Sequence, residues 1–168
     1  MEFLDQAIAK LAGVPQQVED AVGGLSEEQL SWKPTELFSI RENVLHLRDL
    51  DVLGYEKRLR LMLTEDYPVL TDLDGAKLAM ERNYNALPVR PALDDFKRSR
   101  AMSVHRLRGT STQDLNRKAE MQGAGSIDVR RLLELWMEHD LGHIADLVEL
   151  RRAMETGAGP TQAPHQAA

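Results

Sequence analysis

Apolar residues recur along most of the chain at intervals of three and four, the spacing of one face of an α-helix. The first such run predicts a helix from Phe3 to Val22 that ends at Gly23 and Gly24. Pro15 lies within it, and because proline has no backbone N–H to donate, we expect a kink or a break there. No segment shows the strict alternation of a half-buried strand, so we predict no strands.

Capping signals mark the start of two further helices. Ser26, followed by two glutamates, predicts a short helical turn that closes at Trp32-Lys33-Pro34. Ser39 and Glu42 have the spacing of a capping box, which predicts a second long helix reaching about Leu63.

The second half of the chain predicts two more long helices and a short one. The long middle connection has room for a short helix at about residues 76–84. Pro91, in a first-turn position, starts a third long helix that ends at Gly109. Ser126 is the predicted cap of a last helix that runs to about Met154.

Four long amphipathic helices predict a single all-α domain over residues 1–154. The architecture that we expect is a four-helix bundle with a short extra helix in the middle connection. Residues 155–168 consist mainly of glycine, proline, alanine and glutamine, so we expect a disordered C-terminal tail.

Composition narrows the chemistry that is available. The 168 residues include five histidines and no cysteine, which excludes disulfides, thiolate metal ligands and a cysteine nucleophile. Any metal must therefore be bound by imidazole or oxygen atoms. The net charge of -6 argues against nucleic acid as a partner. The N-terminus carries no targeting signal and no window is apolar enough to span a bilayer, so we expect a cytoplasmic protein without a membrane partner.

Three histidines lie on faces that the helical pattern directs inward. His139 and His143 are four residues apart on the last helix, which places their rings about one turn apart on one side. His46, on the second helix, lies beside Leu50 and Leu53 at the margin of the apolar arc. The stripe of the last helix that carries the two histidines also carries Leu132, Leu135, Trp136, Leu147 and Leu150.

The positions of these histidines can also be explained without a metal site. A lone histidine at the margin of an apolar face is usually a core or boundary residue, and two histidines four apart are common by chance. However, three imidazoles buried without partners would leave several polar atoms unsatisfied, and a shared cation removes that cost. We therefore predict that His46, His139 and His143 bind one metal ion.

Two aspartates accompany the predicted ligands. Asp49 follows His46 by three residues and Asp146 follows His143 by three, so each carboxylate lies on nearly the same helix face as its histidine. Either could accept a hydrogen bond from the other ring nitrogen or act as a fourth ligand. The alternative is that both pair with arginine or lysine across helices. Glu42 is better interpreted as a capping residue than as a general base.

The other two histidines are set aside. His105 lies among Arg100, Arg106 and Arg108, which indicates a surface position, and His165 falls in the predicted tail. No histidine follows a glutamate by three residues, the spacing that di-iron carboxylate bundles need, and no HExxH or Gly-x-Ser-x-Gly motif occurs.

Taken together, these motifs resemble the DinB-like (DinB/YfiT) family of helical bundles. The resemblance covers residues 1–154 and depends on the order and helix placement of the histidines. The segments that carry it are LSEEQLSWKP at 25–34, SIRENVLHLRD at 39–49 and EHDLGHI at 138–144.

The resemblance implies an up-down-down-up four-helix bundle, often a homodimer, with a divalent metal bound by three histidines that match His46, His139 and His143. For some family members it also implies chemistry on a low-molecular-weight thiol. The family name gives no reason to expect DNA binding.

Two functions remain open at this point. The first is a metal-dependent hydrolase or thiol transferase, in which zinc or nickel activates a water or a thiol against a small-molecule substrate. The second is a non-catalytic dimeric bundle with a structural ion or a vestigial site. Because the chain has no cysteine, any thiol would have to arrive as a bound small molecule.

Overall fold

The computed structural model describes residues 2–34 and 37–157, and most of these residues are helical. The helices are α1 (Glu2–Val22), α2 (Glu27–Ser31), α3 (Ile40–Asp49), α4 (Glu56–Thr64), α5 (Gly75–Glu81), α6 (Val89–Arg108) and α7 (Val129–Thr156). A π-helical segment, Leu50–Tyr55, joins α3 to α4, and 3-10 turns lie at Tyr84–Ala86 and Asp114–Asn116. The strands are β1 (Val69–Leu70), β2 (Lys118–Met121) and β3 (Gly125–Asp128).

The long helices form a four-helix bundle, as the sequence predicts. The helix α1 packs against α6 and α7, and α3 packs against the same two helices. Helices α1 and α3 therefore lie on one diagonal of the bundle, and α6 and α7 lie on the other. The consecutive pairs α1/α3 and α6/α7 thus lie across the bundle from each other, whereas a simple up-down-up-down bundle places all consecutive helices side by side.

Capping boxes start two of the helices, as predicted. The Ser26 hydroxyl accepts from the backbone N–H of Gln29, whose side chain binds the backbone N–H of Ser26 in return. Ser39 and Glu42 form the same reciprocal pair at the start of α3. Glu42 is therefore a capping residue, as predicted, and its carboxylate also forms an ion pair with Lys33 at 2.8 Å.

The prediction that the chain has no strands is wrong. The strand β1 pairs in parallel with β2, and β2 pairs antiparallel with β3. Around the turn between β2 and β3, Gly123 and Gly125 adopt φ values of 81° and 77°, which glycine reaches without strain. Strands of two to four residues are too short to display a clear alternation, and the sequence pattern therefore missed them.

Some helix ends differ from their predicted positions. Ser126 lies in β3, and α7 is capped instead by Asp128, whose side chain accepts a backbone N–H from the first turn. The helix α6 begins at Val89, so Pro91 lies in its first turn, and the predicted short middle helix corresponds to α5. The helix α7 extends to Thr156. The rest of the predicted tail, from residue 158 onward, lies outside the described residues.

The helix α1 continues through Pro15, so the expected break does not occur. Proline removes the N–H that would bind the carbonyl of Leu11, four residues earlier. That carbonyl instead accepts a hydrogen bond from Arg100 Nη1 on α6, at 3.0 Å. Burial of Leu11, Val14 and Val18 on one face holds the helix against the bundle on both sides of the proline.

The π-helical segment changes which side chains point inward. Its wider turn shifts the phase of the helix after His46. Asp51 and Tyr55 become buried, at 1% and 7% exposure, whereas Leu53 is 38% exposed. The expectation that Leu53 shares the core face of His46 is therefore wrong, because it assumed an uninterrupted α-helix.

A layer of buried polar side chains divides the apolar core. One apolar cluster includes Leu11, Leu59 and Trp136, and the other includes Val44 and Leu147. Between them lie buried polar residues of the central helices: Asn43, His46, Asp49, Asp51, Arg100, His139, Asp140, His143 and Asp146. Among the described residues, no helix is long and apolar enough to cross a lipid bilayer.

Candidate metal centre

The structure brings the three inward histidines together in the polar layer. His46 comes from α3, and His139 and His143 come from successive turns of α7. The three rings are 2%, 5% and 0% exposed. Each ring offers a nitrogen within 4.8 Å of a nitrogen on the other two.

The spacing of these nitrogens suits a shared ion. His46 Nε2 and His139 Nε2 are 3.1 Å apart. Two imidazole nitrogens at about 2.0–2.1 Å from one metal ion stand about 2.8–3.4 Å apart for ligand angles between square and tetrahedral. His46 and His139 therefore have the spacing of two ligands of one metal ion, and a nitrogen of His143 lies within 4.8 Å of both.

Asn43 fixes the orientation of the His143 ring. Its Oδ1 lies 2.8 Å from His143 Nδ1, and its Nδ2 donates to the carbonyl of Ser39 at 3.0 Å. Because Nδ2 is engaged with a carbonyl, Oδ1 is the atom that faces the imidazole, and Nδ1 of His143 carries the proton. The lone pair then resides on Nε2, the form that a metal ion requires.

Sequence reasoning missed this role of Asn43. The asparagine precedes His46 by three residues, so it lies on the same face of α3. A di-iron carboxylate bundle would have a glutamate at this spacing. The spacing thus placed Asn43 on the same helix face as His46, but the sequence could not show that its amide would contact a histidine on another helix.

The two predicted aspartates have different surroundings. Asp49 accepts hydrogen bonds from Tyr84 Oη and from Arg82 Nη1 (2.8 Å), and its other oxygen lies 2.6 Å from Arg48 Nε. Its contacts are therefore those of the alternative interpretation, in which the carboxylate pairs with arginine. Asp146 Oδ2 lies 3.8 Å from His143 Nδ1, beyond hydrogen-bond distance.

The backbone of Gly75 lies directly against the ring of His46. A Cβ atom at this position would stand 2.3 Å from His46 Cε1 and 2.9 Å from Nδ1, closer than atoms can approach. Phe38 covers the same ring from another direction, with 5.4 Å between ring centroids. Burial, with a further contribution from His139, lowers the pKa of His46 to about 3, so the ring is neutral near pH 7.

A buried ionic cluster borders His139, and the sequence pattern missed it as well. Arg100 lies between Asp51 and Asp140, and all three side chains are at most 3% exposed. The grouping of Arg100 with surface residues around His105 is therefore wrong, because two carboxylates compensate its charge inside the bundle. His105 itself is exposed, as predicted.

The comparisons with known proteins agree with this architecture. A model of the DinB superfamily matches residues 10–147 of the chain. The chain belongs to the DinB superfamily. The resemblance inferred from the sequence motifs is thereby confirmed.

Two relatives within the superfamily are described as candidate metal-dependent hydrolases. One, from Oceanobacillus iheyensis, is 26% identical over 149 residues that cover 88% of this chain and 86% of the relative. The other, from Geobacillus kaustophilus, is 27% identical over 147 residues that cover 86% of this chain and 82% of the relative.

A solved structure shares the fold. YfiT from Bacillus subtilis, whose structure is described as that of a probable metal-dependent hydrolase with an unusual four-helix bundle topology, superposes with a TM-score of 0.83. The match covers 93% of this chain and 89% of YfiT, at 23% sequence identity. It confirms the DinB-type four-helix bundle.

Replacing Gly75 by alanine should damage the metal centre selectively. The added Cβ must displace the His46 ring, so we expect Gly75→Ala to weaken divalent-metal affinity at least about tenfold. Gly54→Ala is the matched control, because its Cβ would meet no atom nearer than 3.7 Å. Calorimetric titration with Zn²⁺ measures both variants, and equal affinities would contradict this assignment of Gly75.

The metal-free protein should lose stability on acidification. His46 has a pKa of about 3 when folded, against an ordinary value of 6.5. Between these values the unfolded chain binds a proton that the folded chain excludes, so the free energy of unfolding falls as pH decreases, by up to about 1.4 kcal/mol per unit. Urea unfolding of chelator-treated wild type and His46→Gln measures the difference; identical pH slopes below about pH 6 would contradict it.

Proposed function

We propose that this DinB superfamily protein is a metal-dependent enzyme, a hydrolase or thiol transferase, that acts on a small molecule. His46, His139 and His143 would bind a divalent ion, zinc or nickel, through one nitrogen each. The observation that carries the proposal is the approach of three buried imidazoles, with 3.1 Å between the nearest pair of nitrogens.

The ligand set supports a reactive ion. Three neutral imidazoles leave the double charge of the ion uncompensated, and such an ion lowers the pKa of a bound water or thiol to produce a nucleophile near pH 7. Asn43 holds the His143 ring in the tautomer that presents Nε2. Gly75 and Phe38 cover the His46 side and limit the access of bulk water.

The nearby carboxylates favour an enzyme over a closed structural site. A structural ion usually has four protein ligands. Here Asp49 binds Arg82 and Tyr84, and Asp140 binds Arg100. The Asp49 carboxylate and Oδ2 of Asp140 are thus engaged with other side chains, which favours coordination positions that stay open to water or substrate.

The relatives favour hydrolysis over thiol transfer, since both are described as candidate metal-dependent hydrolases. Use of a low-molecular-weight thiol, a homodimeric state, a cytoplasmic location and the lack of a nucleic-acid partner stay predictions. The alternative function, a non-catalytic bundle with a structural ion, is favoured by one observation: all three histidines are at most 5% exposed.

Metal content tests the proposal. Untagged wild type and His105→Ala should each contain about one divalent ion per chain, whereas the double variant His139→Ala, His143→Ala should contain almost none, because a single remaining imidazole binds weakly. Elemental analysis identifies the metal and its amount. His105 is the matched control, since it is an exposed histidine outside the cluster.

Equal metal content in wild type and the double variant would contradict the assignment. Assays of the metal-loaded wild type with ester, amide and thiol-transfer substrates then separate the two functions. Turnover that disappears in the double variant supports the enzyme, and a fully loaded protein that turns over none of these substrates favours the structural role.

A further inference from the structure

The buried cluster of Asp51, Arg100 and Asp140, here called the Arg100 cluster, has features that an ordinary structural ion pair does not need. It brings together the π-helical segment, α6 and α7 in the middle of the bundle. The inference drawn from this cluster rests on the proposed function, because Asp140 directly follows the candidate ligand His139.

Arg100 is held rigidly on every side. Its Nε lies 2.9 Å and its Nη2 2.8 Å from Asp51 Oδ1, and its Nη1 lies 2.7 Å from Asp140 Oδ2. The rings of Phe96 and Trp136 flank the guanidinium at 4.9 and 5.0 Å. The Asp140 carboxylate is therefore fixed by a partner that has little freedom to move.

Two helix irregularities supply contacts to the Arg100 guanidinium. Pro15 releases the carbonyl of Leu11, which accepts from Arg100 Nη1 at 3.0 Å. The π-helical segment turns Asp51 into the core, where it contacts Arg100. Both a helix proline and a π-helical turn are costly, and both supply a contact to the same guanidinium.

The charges of the cluster do not balance. One guanidinium faces two carboxylates, and one carboxylate would be enough to compensate it. Burial raises the pKa of Asp51, Arg100 opposes the rise and Asp140 adds a smaller increase. A divalent cation at the neighbouring histidines would supply positive charge beside the cluster.

The second oxygen of Asp140 faces the metal centre. Asp140 Oδ1 lies 3.7 Å from His139 Nδ1. That nitrogen is buried and makes no hydrogen bond within the described part of the chain, whereas Nε2 of the same ring points to His46. A carboxylate close to the remote nitrogen of a metal-bound imidazole fixes the tautomer and strengthens the ligand.

We propose that Asp140, held in place by the Arg100 cluster, is the positioning residue for His139. When the ion is bound, His139 Nδ1–H donates to Asp140 Oδ1 and Nε2 binds the metal. Asn43 has the same function for His143, so the two ligands of α7 are oriented by an amide and a carboxylate respectively.

The Zn²⁺ affinities of variants of three buried aspartates test whether Asp140 positions His139. Asp140→Asn should weaken Zn²⁺ affinity about 10–100-fold, measured by competition with a chromophoric chelator. Asp49→Asn, the matched control, should change it by less than about threefold, since Asp49 is equally buried but binds Arg82 and Tyr84. Asp51 forms its ion pair with Arg100 rather than with His139, so Asp51→Asn should have a smaller effect than Asp140→Asn.

The outcomes separate the inference from the proposed function. If wild type binds neither Zn²⁺ nor Ni²⁺, the proposed function fails and the inference fails with it. If wild type binds Zn²⁺ and Asp140→Asn binds equally well, or if Asp51→Asn loses as much affinity as Asp140→Asn, only the positioning role is overturned.

A measurement on wild type covers the case in which the variants do not fold. In the Zn²⁺-bound protein, ¹⁵N–¹H correlation spectra should show the His139 ring protonated at Nδ1, with the proton protected from exchange with water. A merely structural ion pair would not set this tautomer. Zinc coordinated through Nδ1 of His139, or an unprotected Nδ1 proton, would overturn the proposal.

Discussion

The structure depends on satisfying a layer of polar groups inside an apolar bundle. Three imidazoles, a guanidinium and several carboxylates lie where water cannot solvate them, and each must find a partner within the protein. Asn43 forms a hydrogen bond with His143, and Asp51 and Asp140 form ion pairs with Arg100. Under the proposed function, a divalent ion bound by the three imidazoles completes this layer.

The long helices and the candidate ligands could be predicted from the sequence, because both follow from helical periodicity. His139 and His143 share a face by spacing alone, and capping boxes mark the starts of α2 and α3. The partners of the ligands could not be predicted. Asn43 contacts a residue 100 positions away and Asp51 one that is 49 positions away, and no local pattern encodes such contacts.

The errors have a common physical origin. Periodicity assumes regular helices, whereas the π-helical segment exposes Leu53 and buries Asp51, and α1 continues through Pro15 because Arg100 binds the released carbonyl of Leu11. These departures from ideal geometry lie beside the histidine cluster. Membership of the DinB superfamily therefore accounts for the bundle, and the irregular segments account for the surroundings of the site.

Anomalous diffraction from crystals of the untagged protein, collected at the absorption edge of the metal found by elemental analysis, tests the central claim most directly. We expect one strong peak about 2.0–2.2 Å from one nitrogen of each of His46, His139 and His143. No peak among these three rings, or a metal bound by Asp49 or Asp146 away from them, would contradict it.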